Sequence, residues 1–199
     1  MELDACLDIL KARQGCDHHG HDGEPTPCAV ANVTQSLEHD LRKDTAVPAD
    51  IDGATVRSLY DSFVQCQGKR VEIYARGFVE LMFKDEFAVF SQEITKHFAA
   101  VSNDINRIEA ALRSKNATAL ATLIRKVQVQ EKEKLLLTSA LLLERMRCEQ
   151  KRKVSEDDVS VGIYETSIRS MQASHTKIIV GINDLLDEMK YEVLLAPQW

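Results

Sequence analysis

Residues that break helices are scarce in this chain, which has 8 Gly and 4 Pro among 199 residues, most of them before residue 54. Glycine eases turns and proline removes a backbone donor, so their rarity excludes a loop-rich fold beyond that point and calls for long elements. Apolar runs are short as well, and none approaches the roughly 18–20 residues of a membrane span. The N-terminus, Met-Glu-Leu-Asp-Ala-Cys-Leu-Asp, lacks the basic and then apolar stretch of a secretory signal. Positive charge is in deficit, with 25 Lys and Arg against 31 Asp and Glu. The resulting net charge of −6 argues against broad, non-specific binding to nucleic acid, which needs many Lys or Arg contacts to phosphates. The five cysteines (Cys6, Cys16, Cys28, Cys66, Cys148) are odd in number and scattered, which fits a reducing compartment better than a disulfide framework. These absences point to a soluble, intracellular protein.

What the chain does have is apolar periodicity at helical spacing. With 44% hydrophobic and 28% charged residues, it has the composition of a globular domain. A first long helix is predicted from about Ala54 to Met82, capped by Asp52, with the stripe Val56, Tyr60, Phe63, Val71, Tyr74, Phe78 and Leu81. A second runs from about Glu86 to Arg113 through Phe87, Phe90, Ile94, Phe98, Val101, Ile105, Ile108 and Leu112. Its unbroken run of three- and four-residue steps marks a continuous buried seam. The third, about 117–150, carries Leu120, Ile124 and Val127, then Leu135, Leu142 and Met146. Between them lies the polar stretch 128–134, read as a solvated face, with a partner-docking groove as the alternative. The fourth opens with a cap at Ser155 and follows Val161, Tyr164, Ile168, Met171, His175, Ile178, Ile182, Leu185 and Met189. The links Phe83–Asp85, Ser114–Asn116 and Lys151–Val154 are short, so neighbouring helices must be antiparallel. The expected fold is all-α, an elongated antiparallel four-helix bundle over 54–193 or two helical hairpins sharing a seam.

Residues 1–53 read as an extension. They hold a short helix at 2–13 (Leu3, Leu7, Leu10), a Gly/Pro-rich loop, a weakly amphipathic helix at about 29–43 (Val30, Val33, Leu37, Leu41) and a linker at Pro48–Gly53. Residues 194–199 read as an apolar tail containing Leu194, Leu195 and Trp199.

Several segments resemble the required-for-excision 1-B family of small helical proteins. They are Ile94-Thr-Lys-His-Phe-Ala-Ala-Val-Ser running on to Ile108-Glu-Ala-Ala-Leu112, Leu120-Ala-Thr-Leu-Ile-Arg-Lys-Val-Gln, Glu131-Lys-Glu-Lys-Leu-Leu-Leu-Thr and Ile182-Asn-Asp-Leu-Leu-Asp-Glu-Met-Lys-Tyr. The resemblance covers about 54–193 and implies a role associated with DNA repair. It implies no catalytic residues.

Two clusters are candidate sites. Cys16, His18, His19, His21 and Cys28 offer thiolate and imidazole ligands of the kind Zn²⁺ takes. Their spacing matches no standard finger and His18 adjoins His19, so a His-rich linker without metal is the expectation and no cofactor is assigned. Arg145, Arg147, Lys151, Arg152 and Lys153 form the one basic cluster. They are either phosphate contacts or a cationic helix end that complements the helix dipole. Residues 117–153 carry nine Lys/Arg and four Asp/Glu, and residues 154–199 carry three and eight, so the neighbouring helix answers the charge and favours the second reading. His175 reads as a core histidine, since no carboxylate, Cys or His stands one turn away. Gly-rich phosphate loops, nucleophile elbows, His-Glu-x-x-His pairs and the Glu-x-x-His of di-iron bundles are all missing from the sequence.

The chain is therefore expected to be a non-catalytic adaptor. It would work through helix–helix contacts with other proteins in the nucleus, without membrane contact and with direct nucleic-acid binding disfavoured. Basic residues 145–153 and Trp199 are its candidate interaction points. A structural subunit of a cytoskeletal or ciliary assembly fits the same pattern, and a metal-binding protein built on 16–28 fits it less well.

Overall fold

A computed structural model describes residues 47–81, 87–154 and 159–195. It contains four helices: α1 (Val56–Leu81), α2 (Phe87–Ser114), α3 (Thr118–Val154) and α4 (Val159–Leu195). Cross-helix contacts fix their directions. Arg70 and Tyr74 of α1 meet Ser102 and Phe98 of α2, respectively, so residue numbers rise in one helix as they fall in the other. Ser102 and Glu109 of α2 meet Gln128 and Arg125 of α3, and Thr138 and Arg152 of α3 meet His175 and Glu165 of α4. Each successive pair is antiparallel. Packing is uneven: α3 and α4 pair most extensively and α1 and α2 next, while α1 and α4 barely touch. The fold is thus two helical hairpins joined along α2 and α3.

Local chemistry explains the ends. Thr55, not Asp52, caps α1, its hydroxyl accepting the Ser58 N–H at 3.1 Å. A cap must directly precede the first turn, and Asp52 lies upstream, in a turn closed by the Asp50 carboxylate on the Gly53 N–H at 2.9 Å. The Asp52 carbonyl instead accepts Lys115 Nζ at 2.6 Å, which ties the entering chain to the α2–α3 turn. That turn is a Schellman closure. Asn116 takes the left-handed conformation at φ 60°, while its own N–H and that of Ala117 bond back to Arg113 and Leu112.

Three expected boundaries shift. Lys151–Val154 is the last turn of α3, not a link, because Lys-Arg-Lys contains nothing to stop a helix and its charges suit a helix C-terminus. Leu194 and Leu195, read as part of an apolar tail, belong to α4, which is described through Leu195. Val47 is buried in the core with Ile51 packed beside it, so the packed unit starts upstream of 54. The Ser155 cap, the Phe83–Asp85 link and the segments at 2–13 and 29–43 lie outside the described residues.

The α2 seam is as expected, with Ile94, Phe98, Val101, Ile105, Ile108 and Leu112 all buried. Of these, Ile105, Ile108 and Leu112, together with Leu59, Phe63, Leu120, Ile124, Val127 and Met189, form the apolar end of the bundle. Each such side chain stabilises by roughly 1.5–3 kcal/mol on burial. Within this end, buried Glu109 is held by Arg113 at 3.0 Å and by Arg125 across the helix pair at 2.7 Å. At 37 residues each, α3 and α4 outrun α1 (26) and α2 (28). With about 1.5 Å per residue, the α3–α4 hairpin projects some 15 Å past its neighbours. Among the described residues, no helix is long and apolar enough to cross a membrane.

Candidate functional site

On α1 the inward positions after Phe63 are Cys66, Gln67, Arg70 and Ile73. Val71, assigned to the seam from sequence, is 64% exposed. The polar residues at 67 and 70 keep the helical register, which the apolar stripe by itself does not show. The polar stretch of α3 behaves in the same way. After Val127 the next inward position is Glu131, buried at 7% exposure, with Gln128 and Lys134 half-buried beside it. The solvated-face reading holds for Val129, Lys132 and Glu133, which point outward. It fails for 128, 131 and 134, which continue the buried seam in polar form.

These residues meet in one layer across the bundle. Arg70, 3% exposed, donates to Gln67 Oε1 at 3.0 Å, to Ser102 Oγ at 3.1 Å and to Gln128 Oε1. The Gln128 amide also donates to the Ser102 carbonyl and to Asn106 Oδ1, both at 3.4 Å. Burial lowers the pKa of Arg70, and the Glu131 carboxylate opposes that shift. Glu131 pairs with Lys134 at 2.9 Å, and the Lys134 ammonium lies 4.3 Å from the centroid of the Tyr74 ring. Burial, and secondarily Glu131, pushes the Tyr74 phenol up.

Toward the far side of the layer, the Thr138 hydroxyl donates to the Lys134 carbonyl at 2.7 Å and lies 3.1 Å from His175 Nε2. Its single proton being used, Thr138 accepts from His175, which makes Nε2 the protonated nitrogen of the neutral ring. Burial, then Lys134 and Arg145, holds the His175 pKa below its usual value. His175 is therefore a hydrogen-bonded seam histidine, but its partner comes from α3, which no pattern along α4 reveals.

Chemically this layer is suited to fixing register. A buried cation bonded to amides and a hydroxyl loses its cross-helix partners if α1, α2 or α3 slides by a turn. Cys66, nearby, is pushed up to about 11, mainly by burial, so it is a thiol rather than a nucleophilic thiolate at neutral pH. No group of three or more His, Cys, Asp or Glu suited to a metal occurs among the described residues.

Beside the layer, a groove of about 400 Å³ opens between α1 and α4. Val71, Ile179, Ile182 and Leu186 make its apolar walls, with Lys134 and His175 at its distal end.

The basic cluster of α3 lies on the projecting hairpin. Arg147 pairs with Glu144 at 3.0 Å. Arg152 pairs with Glu149 at 2.9 Å and crosses to Glu165 of α4, the charge compensation expected between these helices. Lys151 and Lys153 are exposed in the last turn. Arg145, Arg152, Lys153 and Arg169 border a shallow groove of about 690 Å³ floored by Cys148 and Ile168. Val154, Val159 and Ile163 stand exposed near the same tip. Cys16, His18, His19, His21, Cys28 and Trp199 lie outside the described residues.

No curated protein and no solved structure matches the chain. Residues 58–145, from the first turn of α1 through most of α3 and including the α1, α2 and α3 parts of the polar layer, match the family described as DNA repair REX1-B.

Proposed function

We propose that the chain is a non-catalytic helical interaction factor associated with DNA repair, acting through protein partners in the nucleus. The match over 58–145 supports the repair association. The observation that carries the interaction role is the α3–α4 hairpin projecting beyond α1–α2. Its tip combines exposed Val154, Val159 and Ile163 with a groove that mixes charge and apolar surface. Large apolar side chains clustered at a helical tip, with a polar rim, are what a protein partner desolvates. Duplex DNA suits this tip less well, because Arg152 is already engaged by two carboxylates and the chain as a whole is acidic.

Capture from nuclear extract with the full tagged chain, against a Val154→Asp/Ile163→Asp double variant, tests the reading. Repair proteins recovered by the first and lost by the second support it. Recovery of tubulin-associated proteins would instead favour a cytoskeletal or ciliary subunit. Tight duplex binding at physiological salt, with a steep salt dependence, would sink the claim that partners are proteins.

A further inference from the structure

Among the described residues, the α1–α4 side of the bundle is its open side. The two helices barely touch there, and the groove between them leaves apolar surface facing solvent, with Val71 64% and Ile179 38% exposed. A four-helix bundle normally closes this side by packing its first helix on its last. Here closure is complete only at the apolar end, where Tyr60 and Phe63 of α1 and Met189 and Val193 of α4 share the core.

The chain itself supplies something to fill the gap. Residues 1–46 lie outside the described residues, and the chain enters the described part at Val47, already buried in the core. Its entry is pinned at the α2–α3 turn by Lys115 on the Asp52 carbonyl. That is the end from which the α1–α4 groove rises. Upstream of the entry, Val30, Val33, Leu37 and Leu41 recur at three- and four-residue steps, a stripe one helix face wide.

We propose that residues 29–43 dock along the α1–α4 groove of their own chain, laying this stripe against Val71, Ile179, Ile182 and Leu186. Reach permits it. Gln67 stands about 16 Å up α1 from its first residue, and a helical segment covering 29–43 spans about 21 Å. The few residues from 43 to 47 add up to about 13 Å if extended. A tethered segment also meets its groove at high effective concentration, so a weakly amphipathic stripe suffices where a free peptide would not. This docking involves the chain alone and holds or fails independently of the partner reading.

The test uses the purified full-length chain carrying a photoreactive benzoylphenylalanine at Thr34, beside the stripe but not in it. Irradiation should give an intrachain cross-link, at monomer mass, to a peptide containing Val71 or Ile179–Leu186. The cross-link should disappear in the Val71→Asp/Ile179→Asp and Val33→Asp/Leu37→Asp backgrounds. Both groove positions are solvent-exposed, and unchanged melting of the first variant shows that the bundle survives. A cross-link found only at dimer mass means that a second copy occupies the groove and overturns the proposal. Cross-linking elsewhere, or none, overturns it as well.

Discussion

Where α2 turns into α3, the helices meet through Ile105, Ile108, Leu112, Leu120 and Ile124, all buried. Further along, α1, α2 and α3 meet through a polar layer in which Arg70 bonds Ser102 and Gln128, with Glu131 and Lys134 beside it. The apolar end is stabilised in proportion to area removed from water, and such packing tolerates sliding as long as area is kept. The polar layer contributes little net stability but is intolerant of misregister, because each displaced donor would stay buried and unpaired. The bundle therefore separates strength from specificity along its length. The projecting α3–α4 tip, with apolar residues in solvent, adds to neither.

The sharpest way to break this comparison is to cut the apolar end. Ile108→Ala should lower unfolding free energy by roughly 2–5 kcal/mol, whereas Ile163→Ala at the tip should change it by less than about 0.5 kcal/mol. Urea denaturation of both variants checks this, and equal losses would contradict the assignment of the tip as unsupporting. Next in size, Arg70→Ala should cost about 1–3 kcal/mol, because it strands Gln67, Ser102 and Gln128 without their donor. Arg70→Met, which restores most of the volume but also removes the donor, should cost nearly as much. If it cost markedly less than Arg70→Ala, the layer would be acting through volume and not through hydrogen bonding.

A smaller effect is expected at the turn that joins the two hairpins. Asn116→Ala should destabilise by about 1 kcal/mol, since a side chain with Cβ and no local hydrogen bond pays for the left-handed conformation, while Asn116→Gly should be neutral or stabilising. Thermal melts would distinguish them.

The smallest effect is a pH dependence from His175. Its folded pKa is lowered, so the unfolded chain binds the proton more readily. The contribution is full above the ordinary histidine value of 6.5 and is lost as pH falls through the depressed folded value. His175→Gln should flatten the stability profile in that window, and an unchanged slope would show that other groups carry it.

Much of the bundle was legible because apolar side chains at helical spacing have few ways to leave water. The α2 seam from Ile94 to Leu112 and the α4 stripe through Ile182 and Met189 were read correctly for that reason. The seams of α1 and α3 were read correctly only where they are apolar. At Gln67, Arg70, Gln128, Glu131 and Lys134 the seam becomes polar, and a search for hydrophobic residues either drifts to Val71 or stops. Register counted onward from Phe63 and Val127, whatever the residue type, finds them. The cap at Thr55 and the continuation of α3 to Val154 turn on single hydrogen bonds and the absence of breakers, which periodicity weighs too coarsely.

Taken alone, the sequence determined that the chain after residue 54 forms four long helices, that short links set them antiparallel, and which residues of α2 and α4 face inward. Local sterics and the hydrophobic effect act within a few residues of each position, so a linear pattern records them. Tertiary structure decided that the polar stretch of α3 is interior and that His175 is answered by Thr138. It also decided that α3–α4 outruns its neighbours and that, among the described residues, the α1–α4 side is open. Each of these depends on which helix stands opposite at a given height, and that relation is set by packing in three dimensions.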